Sequence, residues 1–161
     1  MGLVYLGQKQ YGQAIAEAER AIALDPNDAE GYATLGQILN FVGRPEESIG
    51  VVERAMRLNP RYPAPYLFTL GQAYCWAGQY KEAIAAQKRA IIRNPNHLGA
   101  HGCLAGCLSA LGREEEARAE VAEVLRLNPN FSLEVLRQTV PPKDPAVVEH
   151  MLDALRKAGL K

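Results

Sequence analysis

The chain has 161 residues, of which 48% are hydrophobic and 7% aromatic, and its 18 Lys and Arg residues balance 18 Asp and Glu residues. This is a globular composition, and it provides no overall field that would hold nucleic acid or an anionic membrane. No stretch approaches the roughly 18 apolar residues of a membrane span, and three cysteines without a disulfide spacing favour a cytoplasmic location.

A short Asn-Pro or Asp-Pro motif divides the chain into regular steps. Its prolines stand at 26, 60, 95 and 129, so the steps are 34, 35 and 34 residues long. A period near 34 is typical of stacked helical pairs. The residue before a proline is pushed out of the helical region, so each motif predicts the end of a helix.

Within each step the sequence predicts two helices joined by a tight turn. Small residues are expected where the two helices cross. On the first helix they are Gly2, Gly36, Gly71 and Ala105, and on the second they are Ala14, Ser48, Ala83 and Ala117. A second layer, expected to admit the next pair, consists of Ala21, Ala55, Ala90 and Val124. Gly43, Gly78 and Gly112 suit the turn between the helices.

These residues resemble the tetratricopeptide repeat (TPR) family over roughly residues 1–130. The resemblance implies an all-α fold, a right-handed α-α superhelix of helix-turn-helix repeats with C-terminal capping helices. It implies a non-enzymatic module that binds proteins. The implied divisions are an incomplete first repeat at about 1–27, further repeats at 28–62, 63–97 and 98–130, and capping helices in 131–161. The bulky aromatic of the family's second helix is replaced by Ala18, Val52, Gln87 and Val121.

The first repeat begins inside its first helix. This start leaves an apolar edge of Leu3, Val4 and Leu6 without a capping neighbour. We expect an upstream domain or another copy of the chain to cover the edge, so that a homo-oligomer through this repeat or through the tail is possible.

The tail, residues 131–161, breaks the period. Ser132 is a predicted cap for a short helix over 133–139, and Asp144-Pro145 begins a second helix that runs to about Ala158. The apolar face of the second helix carries Val147, Val148, Met151, Leu152 and Leu155. One interpretation is a cap for the last repeat. The tail is also similar to the C-termini of TPR-bearing bacterial class III adenylate/guanylate cyclases and winged-helix regulators. That resemblance implies, as an alternative function, a regulatory or oligomerisation region of a bacterial signalling protein.

The first helices of such an array line its concave side. The predicted protein-binding groove consists of Ala33, Gln37, Asn40, Phe41, Phe68, Gln72, Cys75 and Trp76. Leu3 and Leu6 extend it at one end, and Gly102, Cys103, Gly106 and Ser109 at the other. This lining has no Lys or Arg to hold a carboxylate, so it favours an apolar or amphipathic protein segment. Alternatively, Phe41 and Trp76 pack between repeats and the groove binds no ligand.

Candidate chemical groups are few. His97 and His101 are four residues apart, as are Cys103 and Cys107, but the two pairs lie on roughly opposite sides of one helix, which makes a tetrahedral metal site awkward. No cysteine has a base in an identifiable motif, and no glycine loop follows a strand. We therefore predict no metal, no cofactor and no catalytic residue. The absence of a basic stripe with aromatic residues argues against nucleic-acid binding.

Overall fold

The computed structural model describes residues 10–139 and 145–161, and these residues form helices and their connections without a β-strand. The helices are α1 (Tyr11–Leu24), α2 (Ala29–Phe41), α3 (Pro45–Leu58), α4 (Ala64–Trp76), α5 (Tyr80–Arg93), α6 (Leu98–Ala110), α7 (Glu114–Leu127), α8 (Leu133–Thr139) and α9 (Pro145–Lys157). The all-α helical-repeat solenoid confirms the predicted fold class. The predicted edge of Leu3, Val4 and Leu6, together with Gly2 and Asp144, lies outside the described residues. None of the described helices combines the length and the apolar character needed to cross a membrane.

Close helix crossings explain the small residues. A Cβ added at Gly36 would overlap Val52 Cγ2, and one added at Gly71 would lie 2.6 Å from Gln87 Nε2. The Ser48 hydroxyl donates to the Gly36 carbonyl at 2.7 Å, so this crossing also carries a buried hydrogen bond. The facing residues are fully buried, as predicted: Ala14, Ser48, Ala83 and Ala117.

The turn inside each pair is a glycine cap. Gly43, Gly78 and Gly112 have φ values of 76°, 75° and 72°, which is the left-handed region that favours glycine. The next residue's N–H donates to the carbonyl five residues back at 2.8–2.9 Å, in the pairs Arg44–Leu39, Gln79–Tyr74 and Arg113–Leu108. This bond is the mark of a Schellman cap, and it satisfies a carbonyl that the ending helix leaves free.

The joint between successive pairs is set by the Asn/Asp-Pro motif. The side chain before each proline accepts from the backbone N–H two residues on, at 3.1, 3.1, 3.3 and 3.2 Å. The residues are Asp25, Asn59, Asn94 and Asn128. These Asx turns repeat the same local geometry at every joint.

The second small layer follows the prediction at all but one position. Ala55, Ala90 and Val124 are buried, but Ala21 is exposed, so the prediction is wrong for the first joint. A Cβ added at Gly31 would lie 3.3 Å from Ile22 Cγ1. Ile22 rather than Ala21 therefore faces α2.

The array curves because its two sets of helices differ in spacing. The first helices α2, α4 and α6 pack against one another in sequence, whereas no comparable packing links α3, α5 and α7 in the described part of the chain. The side lined by α2, α4 and α6 is therefore the concave face.

The tail is part of the core. Ser132 Oγ accepts from the Val135 N–H at 3.2 Å, which confirms the predicted cap, and Gly159 has a φ of 103° just beyond α9. Leu155 and Leu160 belong to one hydrophobic cluster with α4, α5, α6 and α7 residues such as Leu104. The tail thus closes the last part of the array, as the capping interpretation predicts.

Candidate functional site on the concave face

Helix α9 lies on the concave face, where it packs mainly against α6. Met151 covers Gly106, and a Cβ added at Gly106 would overlap Met151 Sδ. The Tyr80 hydroxyl and His150 Nε2 are 2.7 Å apart, and this hydrogen bond joins α9 to the start of α5. An amphipathic helix of the chain itself therefore occupies one end of the concave face.

An apolar cavity of about 220 Å³ lies between α9 and the array. Helix α4 contributes Phe68, Gln72 and Trp76 to its wall, and α9 contributes Met151 and Leu155. A neighbouring cavity of about 280 Å³ is also lined by Trp76 and Met151. The side chains of Trp76 and Met151 therefore stand between the two cavities.

The structure divides the predicted groove residues into two groups. Phe68, Gln72 and Trp76 are half-buried and line the cavity of about 220 Å³, while Cys75 is buried and lines the cavity of about 280 Å³. Gln37 and Phe41 on α2 are also half-buried. These residues are on the face that the sequence assigned to the groove, and their role in binding stays a prediction.

Ala33 and Asn40 serve packing. Ala33 is buried in a cluster with Tyr66 and Leu70. Asn40 is fully buried, and its Nδ2 donates to the Thr69 carbonyl at 2.9 Å and lies 3.3 Å from Gln72 Oε1. Asn40 thus links α2 to α4, and its amide donor is used within the fold.

His97 and His101 both make hydrogen bonds within the fold at the fourth helical pair. His97 Nδ1 accepts from the Ala100 N–H at 3.0 Å and so caps α6, and burial lowers the pKa of His97. His101 Nδ1 lies 2.6 Å from Glu120 Oε2, and its Nε2 lies 2.9 Å from the Pro95 carbonyl. Both ring nitrogens of His101 are therefore occupied, and the structure does not bring the histidine pair together with the cysteine pair.

Three thiols do come together. Cys75 on α4 meets Cys103 and Cys107 on α6, and the three Sγ atoms all lie within 4.8 Å of one another. All three residues are buried and none is in a disulfide. Cys103 and Cys107 share one face of their helix, as predicted, but the approach of Cys75 was not predicted.

The spacing of neighbouring first helices could have revealed this cluster. Asn40 contacts residues 29 and 32 positions later in the sequence. Cys75 likewise precedes Cys103 by 28 positions and Cys107 by 32. A residue on the first helix of one pair therefore contacts residues on the first helix of the next pair that come 28 to 32 positions later in the sequence. This separation is one repeat period minus about one helical turn.

The thiols affect one another's protonation. Hydrogen bonding from Cys107 and Cys75, with a further contribution from Gln87, lowers the pKa of Cys103 well below that of an ordinary thiol, against the opposing effect of burial. The same hydrogen bonds to Cys103 raise the pKa of Cys75 and of Cys107.

Solved structures of low sequence identity share this fold. A crystal structure of MamA has a TM-score of 0.72 at 20% identity, covering 98% of this chain and 92% of that chain. TTC0263, described as a thermophilic TPR protein in Thermus thermophilus, has a TM-score of 0.69 at 23% identity, with coverages of 96% and 78%. YrrB, described as a TPR protein with an unusual peptide-binding site, has a TM-score of 0.66 at 20% identity, with coverages of 98% and 86%. At these identities the likeness shows the fold alone.

Curated relatives match only short segments. Superkiller protein 3 of Saccharomyces cerevisiae is 34% identical over 62 residues, which are 38% of this chain and 4% of that protein. Putative adenylate cyclase 3 of Rhizobium meliloti is 41% identical over 44 residues, which are 27% of this chain and 8% of that protein. The matched segments are thus a small fraction of either relative. The cyclase resemblance rests on a weak partial match, and the resemblance to winged-helix regulators is not supported.

The repeat pattern itself is matched over most of the chain. A family model described as tetratricopeptide repeat covers residues 5–67 and 77–136. These segments include the glycine turns, the Asx-Pro joints and most of the crossings between paired helices described above. The chain belongs to the tetratricopeptide repeat family.

Proposed function

We propose that this chain is a non-catalytic protein–protein interaction module that binds an amphipathic helical segment of a partner on its concave face. The observation that carries the proposal is the position of α9. The concave face already holds this amphipathic helix through apolar contacts of Met151 and Leu155, supplemented by the Tyr80–His150 hydrogen bond. A surface that accepts such a helix offers a partner helix of the same pattern the same contacts.

The chemistry of the face supports an apolar ligand. Phe68 and Trp76 line an apolar cavity, and Gln37 and Phe41 on α2 are half-buried beyond it. Aromatic side chains in partly desolvated positions are frequent binding hot spots. A peptide-binding site is named for the structurally similar YrrB, which is consistent with peptide binding here.

In this proposal α9 competes with the partner. A segment that reaches Trp76 must displace at least part of α9, because both would use the cavity of about 220 Å³ that Trp76, Met151 and Leu155 line. An intramolecular competitor has a high effective concentration, so it lowers the apparent affinity for any ligand at the same surface. A substitution that weakens the packing of α9 on the concave face should therefore strengthen the binding of a partner helix.

Calorimetric titration with a synthetic peptide of residues 145–161 tests this proposal. Met151→Ala removes packing over Gly106 and should tighten binding of the peptide, whereas Trp76→Ala should weaken it by about tenfold or more. Ile92, on the second helix of its pair, is 78% exposed, so Ile92→Ala is the matched control and should leave binding unchanged. Equal affinity of the parent chain and the Trp76→Ala variant would contradict the proposed site.

A second candidate function is the regulatory or oligomerisation region of a bacterial signalling protein in the cytoplasm. The partial match to a putative adenylate cyclase favours it. It predicts self-association through the first repeat or the tail. Sedimentation equilibrium at high protein concentration tests this, and a strictly monomeric mass would count against it.

A further inference from the structure

Cys75, Cys103 and Cys107 form a cluster of three thiols whose chemistry differs from that of the proposed peptide-binding surface. Their Sγ atoms come from two neighbouring helices of the concave face and converge within 4.8 Å. A thiolate lies about 2.3 Å from a bound zinc ion, so three sulfurs that share one ion at such a distance are about 4 Å apart or closer. Sulfurs that already lie within 4.8 Å of one another are therefore close to the separation that a shared ion requires.

The group offers three sulfurs. Among the described residues, no histidine or carboxylate joins the cluster. His101 is held by Glu120 and the Pro95 carbonyl, and His150 by Tyr80. A zinc ion here would need a water molecule or another group as its fourth ligand, because zinc sites in proteins are almost always four-coordinate.

The net charge of the occupied site is a second criterion for the kind of ion that fits the three thiols. The sulfurs are buried among apolar side chains that include Leu104, Leu108 and Leu155. Three thiolates around a monovalent ion would leave two net negative charges in this apolar region, and around a divalent ion one. Burying an uncompensated charge is costly. A trivalent ion with three thiolates is neutral.

We propose that Cys75, Cys103 and Cys107 form a binding site for a trivalent thiophilic metalloid of the arsenite class. In the binding step, three S–As bonds form and the three As–O bonds of arsenous acid break. Each thiol proton leaves with one hydroxide as water. Arsenic stays trivalent and no electron is transferred.

A route to the sulfurs is present. Cys103 lines the cavity of about 220 Å³, and Cys75 lines the cavity of about 280 Å³. Trp76 and Met151 line both cavities, so a small neutral solute would reach the thiols from the concave face beside α9. The bound ion would connect α4 to α6.

The experiment uses the full chain reduced with a phosphine, because a thiol reductant would itself bind arsenite. Arsenite is titrated while Trp76, the single tryptophan, reports on the site by fluorescence, and bound arsenic is counted by elemental analysis. We expect one arsenic per chain and a rise in the thermal unfolding midpoint, because the three sulfurs converge only in the folded state, which therefore binds the ion more tightly than the unfolded chain does. Cys75→Ala, Cys103→Ala and Cys107→Ala should each lower the affinity by about 100-fold or more.

The Cys75→Ala variant is the sharpest control, because it keeps the thiol pair on α6. Parent-like affinity in that variant would overturn the three-sulfur site in favour of a simple helical dithiol. X-ray absorption on the parent chain does not depend on variants that fold. Three As–S bonds and no As–O bond are expected, and a remaining As–O bond would overturn the proposal. Stoichiometric zinc binding that excludes arsenite would overturn it too.

Discussion

Gly71 sets how closely α4 and α5 pack, and replacing it with alanine tests that reading of the fold. A Cβ at this position would lie 2.6, 2.7 and 2.9 Å from Nε2, Cδ and Cγ of Gln87. Non-bonded carbon contacts are favourable at about 3.5 Å or more. Gln87 is fully buried, and its amide donates to the Phe68 carbonyl at 3.1 Å, so it has no solvent into which it could swing.

The size of the effect follows from three contributions. Overpacking a closed site costs about 2 kcal/mol, and disturbing the Gln87–Phe68 hydrogen bond costs about 1 kcal/mol. The higher helix propensity of alanine offsets about 1 kcal/mol of this. We therefore expect Gly71→Ala to lower the free energy of unfolding by about 2 kcal/mol.

Gly50→Ala is the matched control. Gly50 is also inside a helix, α3, but nothing lies within 4 Å of its added Cβ. Only the propensity changes, so the free energy of unfolding should rise by up to about 1 kcal/mol.

Urea unfolding followed by far-UV circular dichroism and by Trp76 fluorescence compares the variants. Trp76 is on the same helix as Gly71, so its transition should report the destabilisation directly. If both glycine variants shift the transition in the same direction by similar amounts, the close approach of Gln87 does not limit the packing and the reasoning is refuted.

Three further variants test other contacts. Gly78→Ala places a Cβ at a φ of 75° and should lower the free energy of unfolding by about 1 kcal/mol in urea. Ser48→Ala removes the 2.7 Å bond to the Gly36 carbonyl and should cost about 1 kcal/mol in the same assay. Burial and then the hydrogen bond to Glu30 raise the pKa of Tyr66 to about 12. An unfolded tyrosine has a pKa of about 10. The stabilisation of the folded state that comes from the raised pKa is therefore complete below pH 10 and is lost as the pH rises towards 12. The free energy of unfolding should therefore fall less over that pH range in Tyr66→Phe than in the parent chain. If Gly78→Ala or Ser48→Ala leaves the free energy of unfolding unchanged, the corresponding turn or hydrogen bond does not contribute as described. If Tyr66→Phe leaves the pH dependence of that free energy unchanged, the effect ascribed to the Tyr66–Glu30 hydrogen bond is contradicted.

The repeating part of the fold was predictable because its determining contacts are local. The glycines at 43, 78 and 112 and the Asn/Asp-Pro joints act within a few residues of chain, so the sequence pattern contains the geometry directly. Ala21 shows where this fails. The first joint uses Ile22 against Gly31, a shift of one residue that periodicity alone does not distinguish.

The candidate site was predictable in part. Helical phase assigned Phe68, Gln72 and Trp76 to the concave face, and they line its cavity. The position of α9 was not predicted, because an apolar helix face does not specify which surface it will cover. The thiol cluster was missed because Cys75 and Cys103 are on different helices, and periodicity within one helix compares only its own residues.

The hydrogen bond between Tyr80 and His150 spans 70 residues, whereas the packing within the array joins neighbouring or next-but-one helices. The entropic cost of closing a loop rises with the length of the loop, and contacts between residues far apart in the sequence slow folding. We therefore expect the helical pairs to form before α9 docks. Since α9 also follows the array in the chain, it is synthesised after the array. Each newly made molecule then passes through an interval in which the concave face is assembled and uncovered, and a partner present during synthesis would meet no competitor.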